Sequence, residues 1–341
     1  MKHILLLLIF TISLTLGTCT ENPVDGNDTK PGRRDYDWTV DTLFLPFNPF
    51  TDMTGTSPAD LWVCSPGDAD KIFYHYNGQN WKSDLIHRIF SPKSVSSIDV
   101  DNVWSGGRQG RIWNYQNGYW QENIKYSFNG ITDITFEAIF ARTTASIYAT
   151  GQYFINQEYY GIILRYNGGI WENINIPQIR TALTDIKVSS NGNLYMLGVT
   201  NEQFAESRYQ FYEFDGQSLS EIYSGSQSTD AENGGLLQLG AEIYFIIGYD
   251  FFSYNGNSFD EIGRLSDSPK FLNVGIGRNI KDIFLGMRDG VAHYNGENTV
   301  YLYQSTGDVF VRQGMVFENE VFFRGRDSNG NNLIFHGKLN E

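Results

Sequence analysis

The dipeptide Asn-Gly, set between aromatic or aliphatic residues, returns along the chain at a nearly fixed interval. It stands in "FYHYNGQNW", "RYNGGIW", "FFSYNGNSF" and "VAHYNGENT". With degenerate copies such as "EFDGQSL" and "IFHGKL", turn glycines fall at Gly78, Gly118, Gly168, Gly216, Gly256, Gly296 and Gly337, spaced 40, 50, 48, 40, 40 and 41 residues apart. A period of this size means stacked supersecondary units, none of which can bury its own faces alone. Asn-Gly suits a two-residue hairpin link because both residues tolerate positive φ. Each copy is therefore read as a hairpin turn, with flanking rings such as Tyr166 and Trp171 packing between units.

A second element recurs upstream of each turn: an aliphatic–aromatic pair at Leu61-Trp62, Val103-Trp104, Ile147-Tyr148, Leu194-Tyr195, Ile243-Tyr244, Ile283-Phe284 and Val321-Phe322. Glycine follows most of them within a few positions, as at Gly106, Gly151, Gly198 and Gly286. Each unit reads as four strands, shown well by "SVSSIDV", "NVWSGG", "RIWNYQ" and "YWQENI". Four-stranded units at this period predict an all-β, seven-bladed β-propeller of antiparallel blades over residues 36–341. The last unit lacks an outer strand, and "YDWTVDTLF" at residues 36–44 carries Trp38 where other units carry Trp81, Trp120 and Trp171. That N-terminal strand is expected to complete the last blade.

"SSNGNLYMLG" and "VDNVWSGG" resemble the repeats of bacterial two-component-regulator propellers, and "WSGG" followed by Tyr115 and Trp120 resembles kelch repeats. The resemblance runs from about Trp38 to the end. It implies a propeller and leaves function open, because propellers host binding, scaffolding and unrelated chemistries.

The chain begins "MKHILLLLIFTISLTLGTC", a basic start followed by a short apolar run. Residues 1–18 are read as an export signal, the run being shorter than the ~20 residues of a bilayer span. "LGTC" resembles a bacterial lipobox, which implies lipidation at Cys19 and a cell-envelope location; ordinary cleavage and secretion is the alternative. Residues 19–35 are polar and turn-rich, and read as a flexible tether, lipid-anchored or free. Cys64 is then the one other cysteine, expected as a buried small hydrophobe on a strand. The net charge of −14 repels phosphate backbones, so nucleic acid is excluded as a partner.

Catalytic signatures are sparse. His75, His87, His293 and His336 lie in different repeats without metal-ligand spacing, and no phosphate loop, dinucleotide fingerprint or G-x-S-x-G elbow occurs. Neither metal nor cofactor is expected. Asp133 in "ITDITF" and Asp185 in "LTDIKV" fall at comparable points of predicted innermost strands, and are candidates for a channel-mouth acid–base pair. The plainer reading is that they bond local backbone.

Two insertions fall on adjacent units, "GQYFINQEYYG" at residues 151–161 and "VTNEQFAESRYQ" at residues 199–210. Both follow the second strand, so both are expected on the face opposite the Asn-Gly turns. Tyr153, Phe154, Tyr159, Tyr160, Phe204 and Tyr209 are the ligand-binding candidates there, suited to stacking on sugar rings or docking a protein. The expected function is a binding or scaffold module recognising protein or glycan in the envelope. A polysaccharide-active hydrolase or lyase using Asp133 and Asp185 is the alternative.

Overall fold

A computed structural model describes residues 30–45, 48–67, 69–200, 208–226 and 234–340. Among these, 28 strands succeed one another as antiparallel meanders. The first complete meander is β2 (Asp52–Ser57), β3 (Asp60–Cys64), β4 (Phe73–Tyr76) and β5 (Trp81–Lys82). The next is β6 (Pro92–Asp99), β7 (Asn102–Gly107), β8 (Arg111–Gln116) and β9 (Tyr119–Lys125). It is followed by β10 (Ile134–Thr143), β11 (Ser146–Ile155), β12 (Glu158–Tyr166) and β13 (Trp171–Asn173). Then come β14 (Ala182–Val188), β15 (Leu194–Thr200), β16 (Arg208–Phe214) and β17 (Leu219–Ser226).

The expectation of seven separate four-stranded blades needs correction. The described residues form five four-stranded sheets and one eight-stranded sheet. In the large sheet, β18 (Gly234–Leu239), β19 (Glu242–Ile247), β20 (Asp250–Tyr254) and β21 (Phe259–Arg264) join β22 (Phe271–Asn279), β23 (Asp282–Met287), β24 (Gly290–Tyr294) and β25 (Thr299–Gln304). The junction is a parallel pairing of β18 with β22 at Leu239 and Gly277. Gly277 has no side chain to hold the strands apart; a Cβ there would stand 2.9 Å from Leu239 Cδ2. Sequence spacing counts meanders, and a close approach of this kind is invisible to it.

The remaining sheet is β26 (Val309–Val316), β27 (Glu320–Asp327) and β28 (Asn332–Leu339), completed by β1 (Tyr36–Leu43). β1 lies antiparallel to β28 from Tyr36 opposite Leu339 to Leu43 opposite Asn332, so the N-terminal strand does supply the missing outer strand. Gly337 is therefore no turn glycine: it sits within β28 beneath the indole of Trp38. Apolar clusters cross every junction. Trp62, Phe73 and Trp120 join β3 and β4 to β9, and Leu61 and Met53 join the first meander to Phe322 and Ile334 of the last. Cys64 is fully buried.

The hairpin links are mostly of another kind than expected. Among the repeated turn glycines, only Asn117-Gly118 forms a two-residue turn with both residues at positive φ, closing Gln116 onto Tyr119. Elsewhere the loop holds four residues, as between Tyr76 and Trp81 or between Tyr166 and Trp171. There the side-chain oxygen of its first residue accepts two backbone N–H groups: Asn167 Oδ1 takes those of Gly169 and Ile170, each at 3.1 Å. Asp215 does the same with Gln217 and Ser218, which explains why Asp can replace Asn in the repeat. Trp171, the ring after the loop, packs on Trp104 of the neighbouring blade at 6.0 Å, as expected of an inter-blade aromatic.

The end of the expected tether is docked. Gly32 N donates to Lys281 O at 2.8 Å, and Arg34 donates to His293 Nδ1 at 3.2 Å and to Asn298 Oδ1 at 2.9 Å. The chain thus enters the propeller along the face that carries the hairpin loops.

Candidate functional site

The innermost strands line a central cavity. β6, β10, β14, β22 and β26 each carry a bulge near their start, where one residue (β6, β10, β14) or two (β22, β26) are left without a partner on the next strand. A bulge re-aims its side chains, and Lys93, Glu137, Thr184, Asn273 and Arg312, all in these bulges, line one central cavity of about 770 Å³. The recurrent glycines find their reason here. Gly151 lies opposite Phe136 beside the β10 bulge, and a Cβ on it would meet Thr135 O at 1.9 Å. Gly198 and Gly325 hold the corresponding places beside the bulges of β14 and β26.

Charges in the cavity are arranged in pairs on one side. Lys93 Nζ lies 3.3 Å from Glu137 Oε2, and Lys187 Nζ lies 3.1 Å from Asp185 Oδ1. Asp52 is buried and accepts backbone N–H groups from Met53 at 2.7 Å and Val95 at 2.8 Å, tying β2 to β6. Burial pushes its carboxyl up to about 6, against the pull of those N–H groups and of Arg324. Burial likewise lowers Arg324 to about 10, with Asp52 opposing. Arg312 is lowered by burial and then by the nearby Arg288.

The opposite rim holds a pattern that the sequence reading passed over. His75, His293 and His336 each sit across from the aromatic of an aliphatic–aromatic pair: Trp62, Phe284 and Phe322. Each His Nε2 meets the acid that begins the second strand, with Asp60 at 2.7 Å, Asp282 at 2.8 Å and Glu320 at 2.6 Å. The rings stack on their aromatics at 4.2 Å for His75 and 4.0 Å for His336. The signal was present as acid-x-aromatic at residues 60–62, 282–284 and 320–322, but the variable length of the following loop hides the histidine. His293 is fully buried and accepts from Arg34 at Nδ1, so Nε2 carries the proton donated to Asp282. These pairs brace strands. Among the described residues no group of three or more His, Cys, Asp or Glu stands ready to hold a metal ion.

The candidate carboxylates are not brought together. Asp185 lies in β14 opposite Leu197 and lines the cavity, whereas Asp133 precedes β10, is exposed, and is absent from the cavity wall. Aligned by their bulges, Asp185 corresponds to Ala138, opposite Thr150. Asp185 also bonds local backbone, accepting from Ile186 N at 2.8 Å.

The first aromatic insertion is no loose loop. It prolongs β11 and β12 into a hairpin turned by Asn156 and Gln157, both at positive φ. Alternation splits its rings. Tyr153 is buried against Phe128 and Tyr160, its hydroxyl accepting from Gln178 at 3.3 Å. Phe154 and Tyr159 pair across the other face with ring centroids 4.8 Å apart, and Tyr159 is 50% exposed. Tyr160 donates to Glu158 at 2.5 Å. In the second insertion Tyr209 is buried against Phe211 and Tyr223, which removes it from the outer surface and leaves it on the wall of the central cavity. Phe204 and Cys19 lie outside the described residues.

No protein family matches the chain by sequence, and no curated protein matches it. Solved structures do. YCF48 bound to D1 peptide superposes with a TM-score of 0.61 at 14% identity, covering 92% of this chain and 100% of that one. A catalytically inactive virginiamycin B lyase from Staphylococcus aureus, solved with quinupristin, gives 0.63 at 12% identity over 89% of this chain and 100% of the lyase. BamB from Moraxella catarrhalis gives 0.52 at 11% identity over 86% and 84%. At these identities the likeness is one of fold: the chain is similar to β-propeller proteins.

Proposed function

We propose that the chain is a protein-binding scaffold that engages a partner segment through the projecting β11–β12 hairpin. The observation that carries this reading is the Phe154–Tyr159 pair, Tyr159 exposed and Phe154 half-buried beside it, held on a regular two-stranded ribbon whose other face is anchored by Tyr153 and Tyr160. Rigid, half-exposed rings bind with little loss of side-chain freedom. The hairpin lies on the face where the inner-strand bulges begin, opposite the turns and the docked residues 31–35. YCF48, similar in fold, is described with a bound peptide. The N-terminal signal and Cys19 add the second part of the proposal: export and lipid anchoring in a bacterial envelope, with secretion as the alternative.

Selection from a random peptide library on the wild-type chain tests the first part. Selected peptides lose at least tenfold in affinity on the double variant Phe154→Ser, Tyr159→Ser, which melts as the wild type does. Equal binding to both proteins, or glycan-array binding without any peptide binding, refutes it. For anchoring, Cys19→Ser moves the protein from the membrane to the soluble fraction; unchanged membrane retention refutes a lipid at Cys19.

A further inference from the structure

The central cavity treats its cations unequally. Lys93 and Lys187 each have a carboxylate at hand. Arg312 and Arg324 do not: among the described residues neither forms an ion pair. The β26 bulge between Val311 and Gly314 sets Arg312 beside Arg324, which stands between Phe323 and Gly325 on the paired strand. Arg324 spends one N–H on the carbonyl of Phe50 at 2.7 Å and leaves Nε buried without a partner. Asp52 is the acid whose charge reaches Arg324, yet its two oxygens are taken by the N–H groups of Met53 and Val95. Two neighbouring guanidinium groups without a carboxylate partner, Arg324 half-buried and Arg312 exposed on the cavity wall, repel each other, and they do so in a chain of net charge −14. Apolar wall stands beside them, from Leu272, Val274, Ile276 and Met315.

We propose that this cavity binds a small organic monoanion, a carboxylate on an apolar body, with the carboxylate held by Arg312 and Arg324 and the body against β22 and β26. The fork of donors on each guanidinium matches a planar carboxylate, and a charge-assisted bond in a shielded site is stronger than one at the surface. A cavity of about 770 Å³ is of the size that holds such molecules. Asp52, Glu137 and Asp185 already line the same space, which disfavours a dianion such as phosphate. The site is separate from the hairpin surface and its occupancy does not depend on that reading.

The test is calorimetric titration of the full chain with benzoate, benzyl alcohol and inorganic phosphate. Benzoate saturates one site and binds at least tenfold tighter than either of the others. Arg312→Gln weakens benzoate at least tenfold, and Arg312→Lys, which keeps the charge, weakens it less. Benzoate also raises the melting temperature of the wild type and leaves that of Arg312→Gln unmoved, a readout that a purely structural arginine does not give. Failure of benzoate to saturate overturns the proposal, as does benzyl alcohol binding as tightly, phosphate binding more tightly, or unchanged affinity in Arg312→Gln. The three wild-type titrations decide the matter even if the variant does not fold.

Discussion

Replacing Trp38 by alanine probes whether the ring is one cooperative body. Trp38 rides on an outer strand, partly buried, over Gly337 and 6.3 Å from the ring of Tyr303. A fully buried tryptophan costs about 3–5 kcal/mol when truncated, so a partly buried one costs roughly 2 kcal/mol. With an unfolding entropy of about 2 cal/mol/K per residue over roughly 300 residues, the melting temperature falls by about 3 °C. Differential scanning calorimetry is the assay, and the whole transition shifts as one peak. A cycle sharpens the result. A Cβ on Gly337 would lie 2.7–2.9 Å from three indole atoms, so Gly337→Ala destabilises the wild type but is nearly neutral once Trp38 is gone. Deleting residues 36–44 destabilises the protein globally by the same reasoning. The reasoning is refuted if Trp38→Ala leaves the main peak in place, or if a separate low-temperature transition carries the entire change, for then β1 is an appendage.

Two further outcomes follow from the inner strands. Asp52 has a folded value near 6 against an ordinary 3.8, so the native state holds the proton more tightly and a penalty builds as pH rises through this interval. Between about pH 4 and pH 7, the stability of Asp52→Asn in urea denaturation therefore gains on the wild type by about 2 kcal/mol; a flat difference refutes the burial argument. Gly151→Ala drives a Cβ into Thr135 O and costs roughly 2–4 kcal/mol in urea denaturation, whereas Gly118→Ala, with φ +84° and open space around it, costs about 1 kcal/mol. Equal costs at the two positions contradict the close-approach reading.

Much of the architecture was legible because a repeat writes the same local physics many times. Turn residues, the aliphatic–aromatic pairs and the missing last strand are all carried by residue type and spacing. The parallel contact of Leu239 with Gly277 is not, because it depends on how near two inner strands come. Bulges evade sequence reading for a related reason: "ITDITF" ends just before the bulge of β10 whereas "LTDIKV" spans that of β14, so motifs that look alike stand five residues apart in the two blades. Alternation could have separated Tyr153 and Tyr160 from Phe154 and Tyr159, had residues 151–161 been read as strand instead of loop. The histidine–acid braces were hidden by loop length, and Arg312 looked like any surface arginine until the β26 bulge placed it beside Arg324.

The pairing of β1 with β28 also dictates an order of events. Tyr36 is made roughly 300 residues before Leu339, so the contact that closes the ring carries the largest loop entropy among the described pairings. Throughout synthesis β1 waits as a strand with no neighbour, offering its N–H and C=O groups to any other strand in reach. A nascent chain of this kind is thus exposed to edge pairing between copies until β28 emerges. The same strand that seals the finished ring is the growing chain's point of greatest vulnerability.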